Sequence, residues 1–165
     1  MFASTPPLEA LRLLLSEAAT VEKRGSGEKV VMVADVSRAF FEAPARRRIC
    51  VELPAEALTA DEQKEDLVGL LNMSLYGTRD AAANFQHEVR IFMSGLHFSQ
   101  ARFNPSLYYN PTRDLKVLVH GDDFVSVGTR ENIQWFKEKL AARFEVKTKV
   151  VGDHVASQTS VKQPG

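Results

Sequence analysis

The sequence is poor in cysteine: Cys50 stands alone among 165 residues. A single thiol excludes an intramolecular disulfide framework and any cysteine-rich zinc centre. Net charge is missing too, with Lys+Arg 21 against Asp+Glu 21. Such a chain has no global basic field, so contact with nucleic acid must come from a local patch or from other parts of a larger protein. No apolar run approaches the roughly 18 residues of a membrane-spanning helix. The amino-terminal Met1-Phe2-Ala3-Ser4-Thr5-Pro6-Pro7 has no basic segment ahead of an apolar stretch and does not read as a secretory signal. These absences predict a chain that stays inside the cell and touches no membrane, with nothing to separate cytoplasm from nucleus. What is present is ordinary: 44% hydrophobic and 25% charged residues suit one folded domain with a real core.

Leu8, Leu11, Leu14 and Leu15 recur at helical spacing and predict a peripheral helix within 7–20, before Gly25-Ser26-Gly27 breaks the chain. Residues 1–28 thus read as an N-terminal helix and linker. Lys29-Val30-Val31-Met32-Val33-Ala34-Asp35 reads as a buried strand ending in a carboxylate. Ala39-Phe40-Phe41 suits a helical turn, 48–53 an alternating strand, and 55–66 a polar surface insertion. Leu67 to Leu75 fits either a strand or a buried turn. Phe85, Val89, Phe92, Met93 and Leu96 mark a long helix over 79–96. Strands follow at 107–109, 115–119 and 124–127, with His120-Gly121-Asp122-Asp123 as a tight turn between the last two. Thr129 can cap a helix over 130–143, and 144–150 alternates like a half-exposed strand. The polar residues 152–165 read as a flexible tail.

The main elements give the order βαββαβ, the α+β split βαβ or ferredoxin-like arrangement, with an insertion after the first strand. If both crossovers are right-handed and the middle strands form a hairpin, the first strand lies antiparallel to the third. Asp35, Asp122 and Asp123 then meet at one sheet edge. Like charges so placed repel unless a cation joins them. Mg²⁺ takes one or two protein carboxylates plus substrate phosphates, and a pair of such ions suits nucleotidyl transfer. Taken alone, an Asp-Asp pair is an ordinary turn former. The element order and Asp35 favour the chemical reading.

Several segments resemble one family. Asp35-Val36-Ser37-Arg38-Ala39-Phe40-Phe41 is similar to the first catalytic motif of copia-type retrotransposon reverse transcriptases, Asp-Val-x-x-Ala-Phe. Ser74-Leu75-Tyr76-Gly77 matches the family's Ser-Leu-Tyr-Gly, also followed by a helix. Phe103-Asn104-Pro105-Ser106-Leu107-Tyr108 resembles its Asp-Pro-Cys-Leu-Tyr segment, His120-Gly121-Asp122-Asp123 its Tyr-Val-Asp-Asp, and Phe144-Glu145-Val146-Lys147 its Phe-Glu-Met-Lys. The resemblance implies a polymerase palm over 29–151 with a partial fingers insertion and no thumb. It implies catalysis by Asp35, Asp122 and Asp123, and two Mg²⁺ ions (or Mn²⁺) held by these and the Val36 carbonyl. Phe40 would lie beneath the nucleotide sugar and reject a ribose 2′-hydroxyl. Phe41, Tyr76, Gly77 and Arg79 would join the substrate pocket. The partners implied are an RNA or DNA template-primer and a dNTP.

The departures are local. His120-Gly121 replaces the usual aromatic and aliphatic pair. Thr78-Arg79-Asp80-Ala81-Ala82-Ala83 stands for Leu-Lys-Gln-Ala-Pro-Arg, which keeps a positive charge at Arg79 and adds a negative one at Asp80. With thumb, RNase H and integrase segments missing, the expectation is a fragment or truncated copy with weak or no activity alone. The alternatives are a non-catalytic remnant palm, a ferredoxin-like interaction module, or another palm-type transferase such as a cyclase. An RNA-recognition motif needs stacking aromatics, which the apolar runs at 30–33 and 117–119 do not offer.

Other features carry less. Gly25-Ser26-Gly27-Glu28-Lys29 has the wrong spacing and context for a phosphate loop. Arg46-Arg47-Arg48 suits a solvated strand end or a contact with template or triphosphate oxygens. His87, His97, His120 and His154 show no metal-ligand spacing. Cys50 is expected to be a small buried hydrophobe, and Trp135-Phe136 to be packing.

Overall fold

The computed structural model describes residues 6–20, 29–65 and 67–152. The glycine-rich break at 25–27, His154 and the polar tail from 153 onward lie outside them. Alternation dictates the central strand, β1 (Lys29–Val36). Val30, Met32, Ala34 and Val36 bury on one side, and Val31, Val33 and Asp35 point to the other. A 3₁₀ turn, Ala39–Glu42, follows. The chain then makes a short ribbon of β2 (Cys50–Glu52) and β3 (Val68–Leu70), and enters α2 (Ala81–Gly95). Next come β4 (Ser99–Gln100), β5 (Leu107–Asn110), β6 (Leu115–His120), β7 (Asp123–Thr129), α3 (Arg130–Arg143) and β8 (Val146–Val151).

The main sheet has the order β4-β5-β6-β7-β1-β8, and every neighbouring pair is antiparallel. β1 lies between β7 and β8, so the first long strand does pair with the third. Thr129 caps α3 by accepting the Asn132 N–H at 3.4 Å. At the end of α2, His97 and not Gly95 takes the left-handed position, with φ 63°.

Two layers of helix cover the sheet. Phe85, Val89 and Met93 of α2 and Ile133, Phe136 and Leu140 of α3 pack with Val30, Met32, Ala34 and Phe124 in one core. The helix α1 (Leu8–Ala19) lies on the opposite face, where Leu14 is buried against Leu118 and Val127. Far from being peripheral, α1 is tied down by charge. Lys29, 8% exposed, bonds Glu17 at 2.7 Å and Asp114 at 2.8 Å, and Lys116 joins Glu17 as well. Burial alone would lower the pKa of the Lys29 ammonium, but its two carboxylate partners reverse that and hold it above its usual range.

The insertion departs most from expectation. Its strand is only Cys50–Glu52, and Leu67, Val68 and Leu70 are exposed. Cys50 is exposed rather than buried. Two strands make a single layer, and Cys50 is open to solvent. No helix among the described residues is long and apolar enough to cross a membrane.

Candidate active site

Register places the acidic edge. Asp35, the penultimate residue of β1, lies directly opposite Asp123, the first of β7. Direct cross-strand partners share a face, with Cβ atoms roughly 5 Å apart, and like charges so placed destabilise a sheet. His120 faces Asp123 from β6, and Lys147 faces Asp35 from β8. One cross-strand row therefore reads Lys147, Asp35, Asp123, His120. Asp122 closes the hairpin, and its carbonyl accepts the Val36 N–H at 3.0 Å. That bond locks the end of β1 to the turn.

The turn is tight for a specific reason. Only Gly121 and Asp122 separate β6 from β7, and Gly121 has φ 63° while Asp122 keeps an ordinary negative φ. A positive φ at the first central residue is the geometry that favours glycine in type II′ hairpins. The substitution at this position thus suits the turn and leaves both aspartates in place.

Electrostatics mark Asp123. Partial burial raises its carboxyl above the usual range, and Asp122 and Asp35 raise it further, while His120 opposes them. None of the three aspartates has a lysine or arginine ion-pair partner among the described residues. Nor is any group of three or more Asp, Glu, His and Cys among those residues arranged as a ready-made metal cage. A Mg²⁺ site that takes one or two protein carboxylates and completes itself with substrate oxygens needs no such cage. The donor set, all carboxylate oxygen without an ion-pair partner among the described residues, fits a hard divalent ion.

Aromatic side chains gather in the turn that follows β1. The 3₁₀ turn after β1 presents Phe40, half-buried, and Phe41, exposed. The segment Ser74–Gly77 is brought to it by the Ser74 N–H donating to the Ala43 carbonyl at 2.8 Å. Asn84 of α2 holds Ser74 in turn, at 3.0 Å. Tyr76 consequently packs on Phe40 with ring centroids 4.4 Å apart, and edge-on to Phe41 at 5.5 Å. Phe40 also touches Phe85 at 6.5 Å, which links the loop to the core. Gly77 has φ 87°, so a side chain there would be strained. Arg79 is exposed in the turn before α2.

The basic run divides. Arg47 pairs with Asp80 at 3.2 Å, and this bond is the main reason the Asp80 carboxyl lies below its usual range. Asp80 therefore spends its charge on Arg47. Arg46 lines a separate cleft of about 410 Å³ with His87, Arg90 and Tyr108. Sequence reasoning missed two contacts: this Arg47–Asp80 pair, and an Arg38–Glu145 pair at 2.8 Å between residues far apart in the chain. No local spacing signals either.

Asp35, Asp122, Asp123 and Val36 thus come together, and Phe40, Phe41 and Tyr76 form one aromatic group. A family model described as "Reverse transcriptase (RNA-dependent DNA polymerase)" matches residues 1–155.

Proposed function

The chain belongs to the reverse transcriptase family, and from that premise we propose that it is the palm region of a copia-type RNA-directed DNA polymerase. The family acts on a nucleic-acid template-primer with nucleotide substrates. In our reading the main sheet and its helices are the palm, residues 29–151, and the β2–β3 ribbon with its flanks is part of the fingers. Thumb, RNase H and integrase functions would come from other segments of a retroelement polyprotein.

The observation that carries this reading is the Asp35–Asp123 register beside Asp122. A pair of like carboxylates kept directly opposite one another costs stability, and a site for divalent cations gives it a purpose. Asp35, Asp122 and the Val36 carbonyl would hold Mg²⁺ or Mn²⁺, with Asp123 as the third carboxylate. Two bound ions would supply activation of a primer 3′-hydroxyl and charge neutralisation at the dNTP phosphates. The chain's own work is positioning. Phe40, braced by Tyr76 and Phe85, offers a fixed aromatic wall for the sugar. Tyr76, Phe41 and Gly77 shape the rest of the pocket, and Arg79 adds positive charge near it.

The test is dNTP incorporation on a primed RNA template with Mg²⁺ or Mn²⁺, beside an Asp122→Asn/Asp123→Asn variant. Weak incorporation by the natural chain that disappears in the variant is the expected result. Equal incorporation by both folded proteins refutes the assignment.

A further inference from the structure

Arg38 sits three residues after Asp35, in the turn that leaves β1. Its backbone is left-handed, with φ 53°, a conformation that a residue with a Cβ adopts only under local constraint and that concentrates at functional sites. The constraint is visible. The next-door Ser37 N–H donates to the Glu145 carbonyl at 2.8 Å, and the Arg38 guanidinium bonds the Glu145 carboxylate at 2.8 Å. Glu145 immediately precedes β8, and Val36 pairs with Val146, so the ion pair lies at the same sheet edge as the three aspartates.

The pair faces solvent, with side chains 69% and 40% exposed. Exposed pairs of this kind are weak and exchange readily. The neighbouring Glu42 is engaged by Arg143 at 3.1 Å, which leaves Glu145 as the direct partner of Arg38. The same turn carries Phe40 two residues on. A guanidinium fork thus lies in the turn that joins the acidic strand end to the aromatic group, paired with a single carboxylate.

We propose that Arg38 is a binding residue for the triphosphate of the nucleotide, and that Glu145 is a positioning residue that parks it until the triphosphate arrives. This rests on the polymerase reading of the site. A triphosphate carries several charges and many acceptor oxygens, which suits the planar fork better than one carboxylate does. Binding exchanges the Glu145 bond for phosphate bonds, and the 37–38 turn stays anchored by the Ser37–Glu145 backbone bond.

The test titrates inorganic tripolyphosphate calorimetrically into the natural chain, Arg38→Ala, Glu145→Gln and the double variant, each checked for folding by circular dichroism. Losing a charge-assisted bond to phosphate weakens binding roughly tenfold in Arg38→Ala. Freeing the arginine tightens it about two- to fivefold in Glu145→Gln. The double variant behaves as Arg38→Ala, because Glu145 acts through Arg38. In dTTP incorporation the same order appears in KM, with kcat little changed. Unchanged affinity in Arg38→Ala, or weaker affinity in Glu145→Gln, overturns the proposal. A chain that incorporates nothing yet binds tripolyphosphate in this order supports the Arg38 site and counts against catalysis by this chain alone. Incorporation with one KM in all variants does the reverse.

Discussion

At Asp123 three influences raise the carboxyl and one lowers it: burial, Asp122 and Asp35 against His120. A carboxyl raised by folding binds its proton more tightly in the folded than in the unfolded chain. Stability then falls as pH rises from the ordinary aspartate range, about 4, through the raised value, and stays low above it. Asp123→Asn removes this penalty. Metal-free Asp123→Asn is expected to be more stable than the natural chain at pH 7, with the gap narrowing as pH falls toward 4. Urea unfolding at several pH values reads this directly, and a natural chain more stable than the variant at pH 7 argues against it. The aspartates were legible in the sequence because Asp35 ends a β-branched run and Asp122-Asp123 sit in a turn between two others. The pairings of Arg38 with Glu145 and of Arg47 with Asp80 were not. They join residues brought together only by the fold.

The hairpin of β6 and β7 shows what an element can impose on a residue. Its two-residue connection demands a positive φ, which Gly121 supplies. Gly121→Val is therefore expected to cost about 1–2 kcal/mol, since a β-branched residue is strained in that region. Guanidinium unfolding measures it, and an unchanged midpoint contradicts the turn assignment. Strands and helices with one buried face were readable from their periodicity: Val30, Met32 and Ala34 alternate, and Phe85, Val89 and Met93 recur at helical spacing. The ribbon's strands fall within 48–53 and 67–75 as expected, but their exposure was not legible, because apolar residues such as Val68 and Leu70 read as buried when the layer to cover them is not in view. The end of α2 was placed within one residue, but its left-handed residue was not legible. Gly95 is the better left-handed residue, yet the Leu96 and Phe98 N–H groups return to Met93 and put His97 there instead.

Over the whole molecule, equal numbers of acidic and basic residues hide an uneven distribution. Glu17, Lys29, Lys116 and Asp114 compensate one another beneath α1. Arg143 is shared between Glu42 and Glu88 on the helical side. At the edge where β1 meets β7, the acidic side chains lack such partners. The two ends of β1 therefore differ, one with its charges paired and the other acidic and without ion pairs among the described residues. In our proposal a divalent ion relieves this edge. That claim is tested by the unfolding free energy of the natural chain and of Asp35→Asn, each with and without saturating Mn²⁺. Binding at about 100 times the dissociation constant stabilises the natural chain by about 2.7 kcal/mol. Asp35→Asn starts more stable without metal and gains little from it. Equal gains in the two proteins, or none in either, would contradict the account.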